Sequence, residues 1–345
     1  MNKMRKLVDP LEGALAATLD IEDEANLGAQ WAEASEQVRE YVLRGGKRFR
    51  PALLEMGFRA AHPTAELPRG VTEFGAALEL LHAFLLVHDD VADRASTRRG
   101  GPALHHVIAP GADAEGTRMG EQLAVVAGDH LYSRALEVML SSGLPASVEA
   151  TRYLLGVCRH TAAGQYLDLT LSRAPLFKVT LFETLRVAQL KTARYGFVAP
   201  LVCGAMLGGA EPALLDALAR AGRHAGIAFQ LRDDLIGLFG DDRVAGKAGA
   251  GDYFEGKRTF PLIAAWTRAD DAGRAELETL WDAPHKDDAS LAKARAALTA
   301  AGGRAATERV IDRCARAASR ALSAIPGPAR LQLELAFEHL FHRAA

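Results

Sequence analysis

The chain has 345 residues, 49% of them hydrophobic, 6% aromatic and 24% charged, a balance that supports a packed core and excludes collagen-like, coiled-coil and disordered classes. Lys plus Arg number 41 against 43 Asp plus Glu, a formal charge of −2, so no nucleic-acid partner is expected from charge. Cys158, Cys203 and Cys314 are odd in number and far apart, which argues against a disulfide framework and suits a reducing cytoplasm.

The N-terminal MNKMRKLVDPLEG carries positive charge but no apolar run of signal-peptide length. The most apolar stretch, residues 197–209, is interrupted by Pro200 and Gly204 and falls short of the ~18 residues that cross a bilayer. A soluble, cytoplasmic protein with no transmembrane segment is expected. Apolar residues recur at helical spacing, as at Leu78, Leu81, Phe84 and Leu85, while period-two alternation is nearly absent. In chain order the pattern predicts helices over 27–44, 51–61, 69–92, 117–141, 146–171, 178–207, 212–238, 257–269, 288–301, 304–323 and 328–342. Turn chemistry separates them at Gly45 and Gly46, Pro63, Gly100, Pro110, Gly208 and the glycine-rich run 240–256. None of these breaks is long enough for a linker, so the expectation is one all-α domain over 1–345.

The third helix ends in HDDVADRASTRRGGP. Asp89 and Asp93 are four residues apart, ~40° in azimuth and ~6 Å in rise, so both carboxylates share one face with Asp90 beside them. Clustered carboxylates repel one another, and magnesium neutralises such a set with a few acid oxygens, water and substrate phosphate. Arg98 and Arg99 follow, and guanidiniums fit phosphate bidentately. A helix end whose acids and arginines pair with one another is the competing reading. The second acidic pair, Asp233 and Asp234 in FQLRDDLIGLFGD, lies in an apolar helix, where an uncompensated charge costs several kcal/mol. Its column is broken at Gly237, and Asp241 lies ~12 Å further on, too far to share an ion with Asp233. Lysines beside glycine recur at Lys47, Lys191, Lys247 and Lys257. GDYFEGKR at 251–258 resembles a nucleotide-binding loop, but Arg258 stands where Ser or Thr should hold magnesium and no strand precedes it.

Taken together, these motifs resemble the trans-isoprenyl diphosphate synthases. GGKRFRP, DDVAD with RRGGP, GQYLDL from Gly164, KTARYGF from Lys191, FQLRDD, and GK, D and GK between Gly246 and Lys257 occur in family order. The resemblance implies antiparallel helices around a deep central cavity with the two acidic motifs across its mouth, in a homodimer. It implies three Mg2+ ions, with Asp89, Asp93 and Asp233 as metal ligands on an allylic diphosphate. Arg98, Lys191 and Lys247 would contact that diphosphate. Lys47, Arg50, His82 and Arg99 would hold isopentenyl diphosphate, and Lys257 belongs to the same basic series. Thr192 and Gln230 would line the reacting centre, and Asp168 would support the allylic-side metal and lysine shell.

This sequence departs from the family at Gly237, where Asp is usual, at Ala103 and at Ala248. Since the first Asp of the second motif is the main ligand, Gly237 is expected to weaken nothing essential. Phe84 lies five residues before Asp89, ~7.5 Å down the helix, with the smaller Leu85 next to it. In the family that pairing fits a twenty-carbon product, so geranylgeranyl diphosphate is expected, with farnesyl diphosphate second. A terpene cyclase is disfavoured because its second metal motif needs an Asn and the only asparagines are Asn2 and Asn26. A non-catalytic regulatory subunit has only Gly237 in its favour.

Overall fold

The computed structural model describes residues 2–20, 24–63, 66–109, 111–240, 251–325 and 327–341, with backbone alone for 2–9 and 24–25. Among them the chain is almost wholly helical, and the only strands form a two-stranded antiparallel hairpin, β1 (Thr97–Arg98) with β2 (Gly101–Pro102). The all-α expectation holds. The chain packs as two compact units, Met1–Arg152 with Cys203–Gly209, and Tyr153–Val202 with Ala210–Ala345.

The first unit is built on α4 (Arg69–Ala92), which packs chiefly against α6 (Ala114–Leu140) and is flanked by α1 (Asn2–Thr18) and α3 (Phe49–Ala61). Helices α2 (Ala29–Leu43) and α5 (Leu104–Val107) complete it, and α7 (Ser147–Leu171) starts there. Phe74, Leu78, Leu80 and Leu81 of α4 are fully buried beside Tyr41 of α2 and Leu53 and Leu54 of α3. Each such side chain contributes ~1.5–3 kcal/mol of burial. Most of α4 is apolar because most of it is covered, although Phe84, Leu85, Leu86 and Asp89 are only half-buried. Its composition alone would pass for a membrane span, alone among the described helices, but most of it lies inside this core.

The second unit is organised around α10 (Pro212–Phe239). Helix α10 packs chiefly against a π-helical segment (Ala188–Val198), which continues α8 (Leu181–Val187) and runs on into α9 (Ala199–Leu207), and against α15 (Gly303–Leu322). Phe197 of the π segment meets Phe229 of α10 and Phe337 of α16 (Gly327–Phe341). A second apolar cluster gathers Tyr253 of α11 (Gly251–Phe254), Leu262 of α12 (Phe260–Arg268), Trp281 of α13 (Asp271–Trp281) and Leu298 of α14 (Asp288–Ala300).

Three differences from the sequence expectation have physical causes. Helix α1 was not anticipated, because Pro10 lies inside it and reads as a breaker; burial of Leu11 and Leu15 outweighs that cost. Helix α13 was not anticipated because only Leu277 and Trp281 of its residues are buried; its start is nonetheless marked by Asp270, whose carboxylate accepts from the Gly273 N–H at 2.9 Å. The stretch read as one helix over 178–207 contains the π segment, whose i→i+5 register leaves no trace in apolar spacing.

Candidate active site

In the first unit, α4 carries its acids at its C-terminal end. Asp93 is the C-cap and its N–H bonds back to the Asp89 carbonyl at 2.8 Å. Asp89 and Asp93 are half-buried, whereas Asp90, turned ~100° away, is fully buried. Asp90 accepts from the Tyr41 hydroxyl at 3.0 Å and from Arg98 Nε at 2.7 Å, with Arg98 Nη2 on the same oxygen. Burial and the Asp90 charge push the Tyr41 phenol well above its ordinary value. Asp90 therefore serves to fix Arg98, and Arg98 is not a free-standing cation at the mouth of the site.

Arg99 and Gly100 form the two-residue turn between β1 and β2, with φ of 52° and 76°. Positive φ at both positions is the tight-hairpin geometry, which Gly100 tolerates freely and Arg99 adopts under strain. Burial lowers the pKa of Arg99, while the Glu79 carboxylate opposes that. Its guanidinium lies within 3.8 Å of Glu79 and 3.4–3.5 Å of the Arg44 and Val42 carbonyls. A Cβ on Gly46 would sit 3.4 Å from its Cζ, so the GGKR loop closes directly on Arg99. Within that loop Lys47 is exposed and Arg50 half-buried over the Phe49 ring at 4.5 Å. His82 is held well below its ordinary pKa by burial and then by the charges of Arg50, Arg99, Arg98 and Arg48. A neutral imidazole among four guanidiniums is a setting that an anion would complete. The sequence reading assigns Arg50, His82 and Arg99 to one diphosphate and Arg98 to the other; in the structure the charges of Arg50, Arg99 and Arg98 all act on His82, and Tyr41 and Glu79, which belong to no motif, join them.

Phe84 is half-buried and packs against His88 at 4.6 Å and Tyr132 of α6 at 5.1 Å between ring centroids. Gly128 of α6 makes room for His88, since a Cβ there would lie 2.5 Å from His88 Nε2, and it leaves Phe84 in ordinary contact at 3.6 Å. Leu85 is half-buried beside it.

In the second unit the π segment carries Lys191 and Thr192. It is clasped by glycines: a Cβ on Gly164 of α7 would lie 2.6 Å from the Lys191 nitrogen, and one on Gly226 of α10 would overlap the Ala193 Cα. Lys191 Nζ donates to Asp168 Oδ2 at 2.9 Å. Thr192 donates to Gln230, and Gln230 Nε2 in turn donates to Asp234 Oδ1 at 2.8 Å. Asp234 is buried, and its carboxyl is pushed well above the ordinary range by burial, then by the charge of Asp252, with Asp168 and Asp233 adding and Gln230 opposing. Asp233 is half-buried. Lys257 pairs with Glu255 at 2.6 Å. Arg258, the residue that spoiled the nucleotide-loop motif, is buried and bonded to Asp282 and to the Ala174 and Gly256 carbonyls. Lys247 lies outside the described residues.

The residues present fit a hard divalent ion. Both acidic pairs occupy the last two turns of long helices, where the helix dipole already disfavours negative charge, and neither last turn contains a basic residue. The Asp234 carboxyl is pushed up first by burial and then by the neighbouring acids Asp252, Asp168 and Asp233. Among the described residues no three or more His, Cys, Asp or Glu side chains form a metal cage. Gly237 carries a further detail: a Cβ there would lie 2.7 Å from Asp252 Oδ2, so the acid of α11 occupies the space next to the position where the motif lacks one.

Comparison with known proteins shows the family. A geranylgeranyl diphosphate synthase of Mycobacterium tuberculosis is 36% identical over 282 residues, 80% of this chain and 75% of that protein. One from Methanosarcina mazei is 36% identical over 232 residues, 67% of this chain and 66% of that protein. The structure superposes with a TM-score of 0.89 on a geranylgeranyl pyrophosphate synthase of Corynebacterium glutamicum, solved with isoprenyl diphosphate and magnesium, at 31% identity and covering 98% and 99% of the two chains. The polyprenyl synthetase family model matches residues 32–298, and the chain belongs to that family.

Proposed function

We propose that the protein is a magnesium-dependent prenyltransferase that condenses isopentenyl diphosphate with an allylic diphosphate and releases mainly geranylgeranyl diphosphate. The observation that carries this is the meeting of Lys191, Thr192, Gln230, Asp168 and the acids of α10 around the π segment, in a chain of this family. Asp89, Asp93 and Asp233 would hold the metal, three ions in all. Magnesium, when bound, stabilises the charge that builds on the departing diphosphate.

The chain's own residues supply the rest. Lys191, steered by Asp168, and Lys247 present cations to the leaving diphosphate, and Arg98, anchored on Asp90, adds a third. Thr192 and Gln230, locked to each other and to Asp234, place fixed dipoles at the carbon where positive charge develops. Lys47, Arg50, Arg99 and neutral His82 hold isopentenyl diphosphate so that its double bond attacks that carbon. Loss of a proton to the departing diphosphate then forms the new trans double bond, so no covalent enzyme intermediate is needed. Lys257 remains paired beside this centre. The same reading assigns one isoprenoid synthase domain to the chain. The divisions between the two units within α7 and α9 fall inside continuous helices and not in linkers, which supports it. It also assigns a homodimer, and a cytoplasmic setting consistent with free Cys158, Cys203 and Cys314.

The test is to incubate the purified chain with Mg2+, labelled isopentenyl diphosphate and primers of five, ten or fifteen carbons, then chromatograph the dephosphorylated products. A twenty-carbon alcohol is expected. A hydrocarbon product would indicate a cyclase, and no turnover a regulatory subunit. Farnesyl diphosphate is the second reading, favoured by the stacking of Phe84 on Tyr132, which places a second aromatic ring beside the first. Phe84→Ala is expected to shift the product towards longer chains. An unchanged distribution would remove Phe84 and Leu85 from the chain-length role.

A further inference from the structure

Among the described residues, two of the three non-glycine residues with positive φ, Arg48 at 43° and Arg99 at 52°, share one partner. Left-handed backbone costs a side-chain-bearing residue ~1–2 kcal/mol, and such strain persists only where the surroundings enforce it. The shared partner is Glu79, two turns and more back from the acidic end of α4. Its side chain is 2% exposed; it pairs with Arg48 Nη1 at 2.8 Å and lies 3.8 Å from Arg99 Nη2. Arg48 also binds Glu12 of α1 at 2.8 Å. Arg48 caps the start of α3 directly after Lys47, and Arg99 forms the hairpin turn, so one carboxylate fastens two separate loops.

We propose that Glu79 is the positioning residue of the isopentenyl diphosphate subsite. It holds the GGKR loop through Arg48 and the hairpin through Arg99, so that the cations of both loops face one diphosphate. The inference rests on the reading of Arg99 as a ligand of isopentenyl diphosphate. Electrostatics alone would give the opposite sign. Removing a buried negative charge beside Arg99 makes the pocket more positive, which favours an anion. Loss of position weakens binding instead, and displacement by ~1 Å is enough to cost one to two orders of magnitude. A buried ion pair is a poor source of stability, because an apolar pair of the same volume often replaces it without loss.

The experiment compares Glu79→Gln, Arg99→Gln and the double variant Arg48→Met/Glu79→Met with the wild type. The readouts are KM for each substrate, and calorimetric affinity for isopentenyl diphosphate alone without metal or primer. Glu79→Gln is expected to raise KM for isopentenyl diphosphate about tenfold and weaken its binding in parallel, while KM for the allylic substrate moves less than twofold. The double variant, which keeps the core filled, is expected to fold and show the same split, and it decides the matter should Glu79→Gln fail to fold. Equal or tighter binding in these variants, or parallel losses for both substrates, overturns the proposal. If Arg99→Gln leaves isopentenyl diphosphate binding unchanged, the underlying reading of Arg99 fails and this inference with it. If Arg99→Gln weakens binding and the Glu79 variants do not, the inference alone fails.

Discussion

Gly237 is one of the three positions at which the sequence resemblance implies a departure from the family, and the structure shows what stands near it. With glycine there, Asp252 of α11 approaches within 2.7 Å of where a Cβ would be. An Asp at 237 would have to displace that carboxylate and would add a charge next to Asp234, whose pKa is already raised by burial and then by the charges of Asp252, Asp168 and Asp233. Gly237→Asp is therefore expected to lower the melting temperature of the metal-free protein and to bring no gain in turnover; a large gain would mean that the second motif is defective as it stands. Asp234 itself gives a pH test. A carboxyl whose folded pKa lies above its unfolded value binds the proton more tightly when folded, so its contribution to stability falls as pH rises from about 4 and levels off above the folded value. Asp234→Asn keeps an acceptor for Gln230 and removes the charge. In chelator-treated protein the variant is expected to melt higher than wild type, by a margin that grows across that pH window, and to lose activity. A margin independent of pH would show that Asp234 ionises normally.

At the level of elements, legibility followed periodicity. Helices α2, α4, α6, α7 and α10 were readable because their apolar residues recur every three to four positions and their ends carry turn residues. The acidic motifs were readable because tandem Asp in an apolar helix is physically expensive. Asp90 shows the limit: it has the same sequence signature as Asp89, and only its rotation around α4, towards Tyr41 and Arg98, makes it a buried anchor. Glu79 and Tyr41 were invisible because a single polar residue in a helix announces nothing until its partners, distant in sequence, are known. The π segment was invisible for another reason. It is approached closely by the backbone at Gly164 and Gly226, neighbours distant in sequence that its own apolar spacing does not report. Gly226→Ala forces a methyl into the Ala193 backbone, and overpacking of that kind costs about 1–3 kcal/mol. The expected outcome is a corresponding fall in denaturant midpoint together with a loss of turnover larger than global unfolding explains, since Thr192 and Lys191 move with the segment. A variant that loses stability and retains turnover would show that the clasp does not set the register of the catalytic pair.

At the scale of the whole molecule, the unassigned surface is on α6. Its buried side faces α4, but Met119, Leu123 and Val126 are 43%, 43% and 57% exposed, and their i, i+4, i+7 spacing makes them one stripe. Isolated exposed apolar residues need no explanation, whereas a continuous stripe on a long, well-packed helix indicates a partner surface. The proposed homodimer supplies one. A two-fold interface brings the same patch of both copies together, so one substitution is introduced twice and charges near the axis oppose each other. A stable interface buries about 800 Å² per partner, more than three side chains provide, but a charge at its centre is not offset by contacts at the rim. Leu123→Glu is expected to convert a sedimenting dimer into a monomer at micromolar concentration with an unchanged helical circular dichroism spectrum. If the wild type already sediments as a monomer, the homodimer falls. If Leu123→Glu stays dimeric, the dimer is formed by another face and the α6 stripe is free for something else.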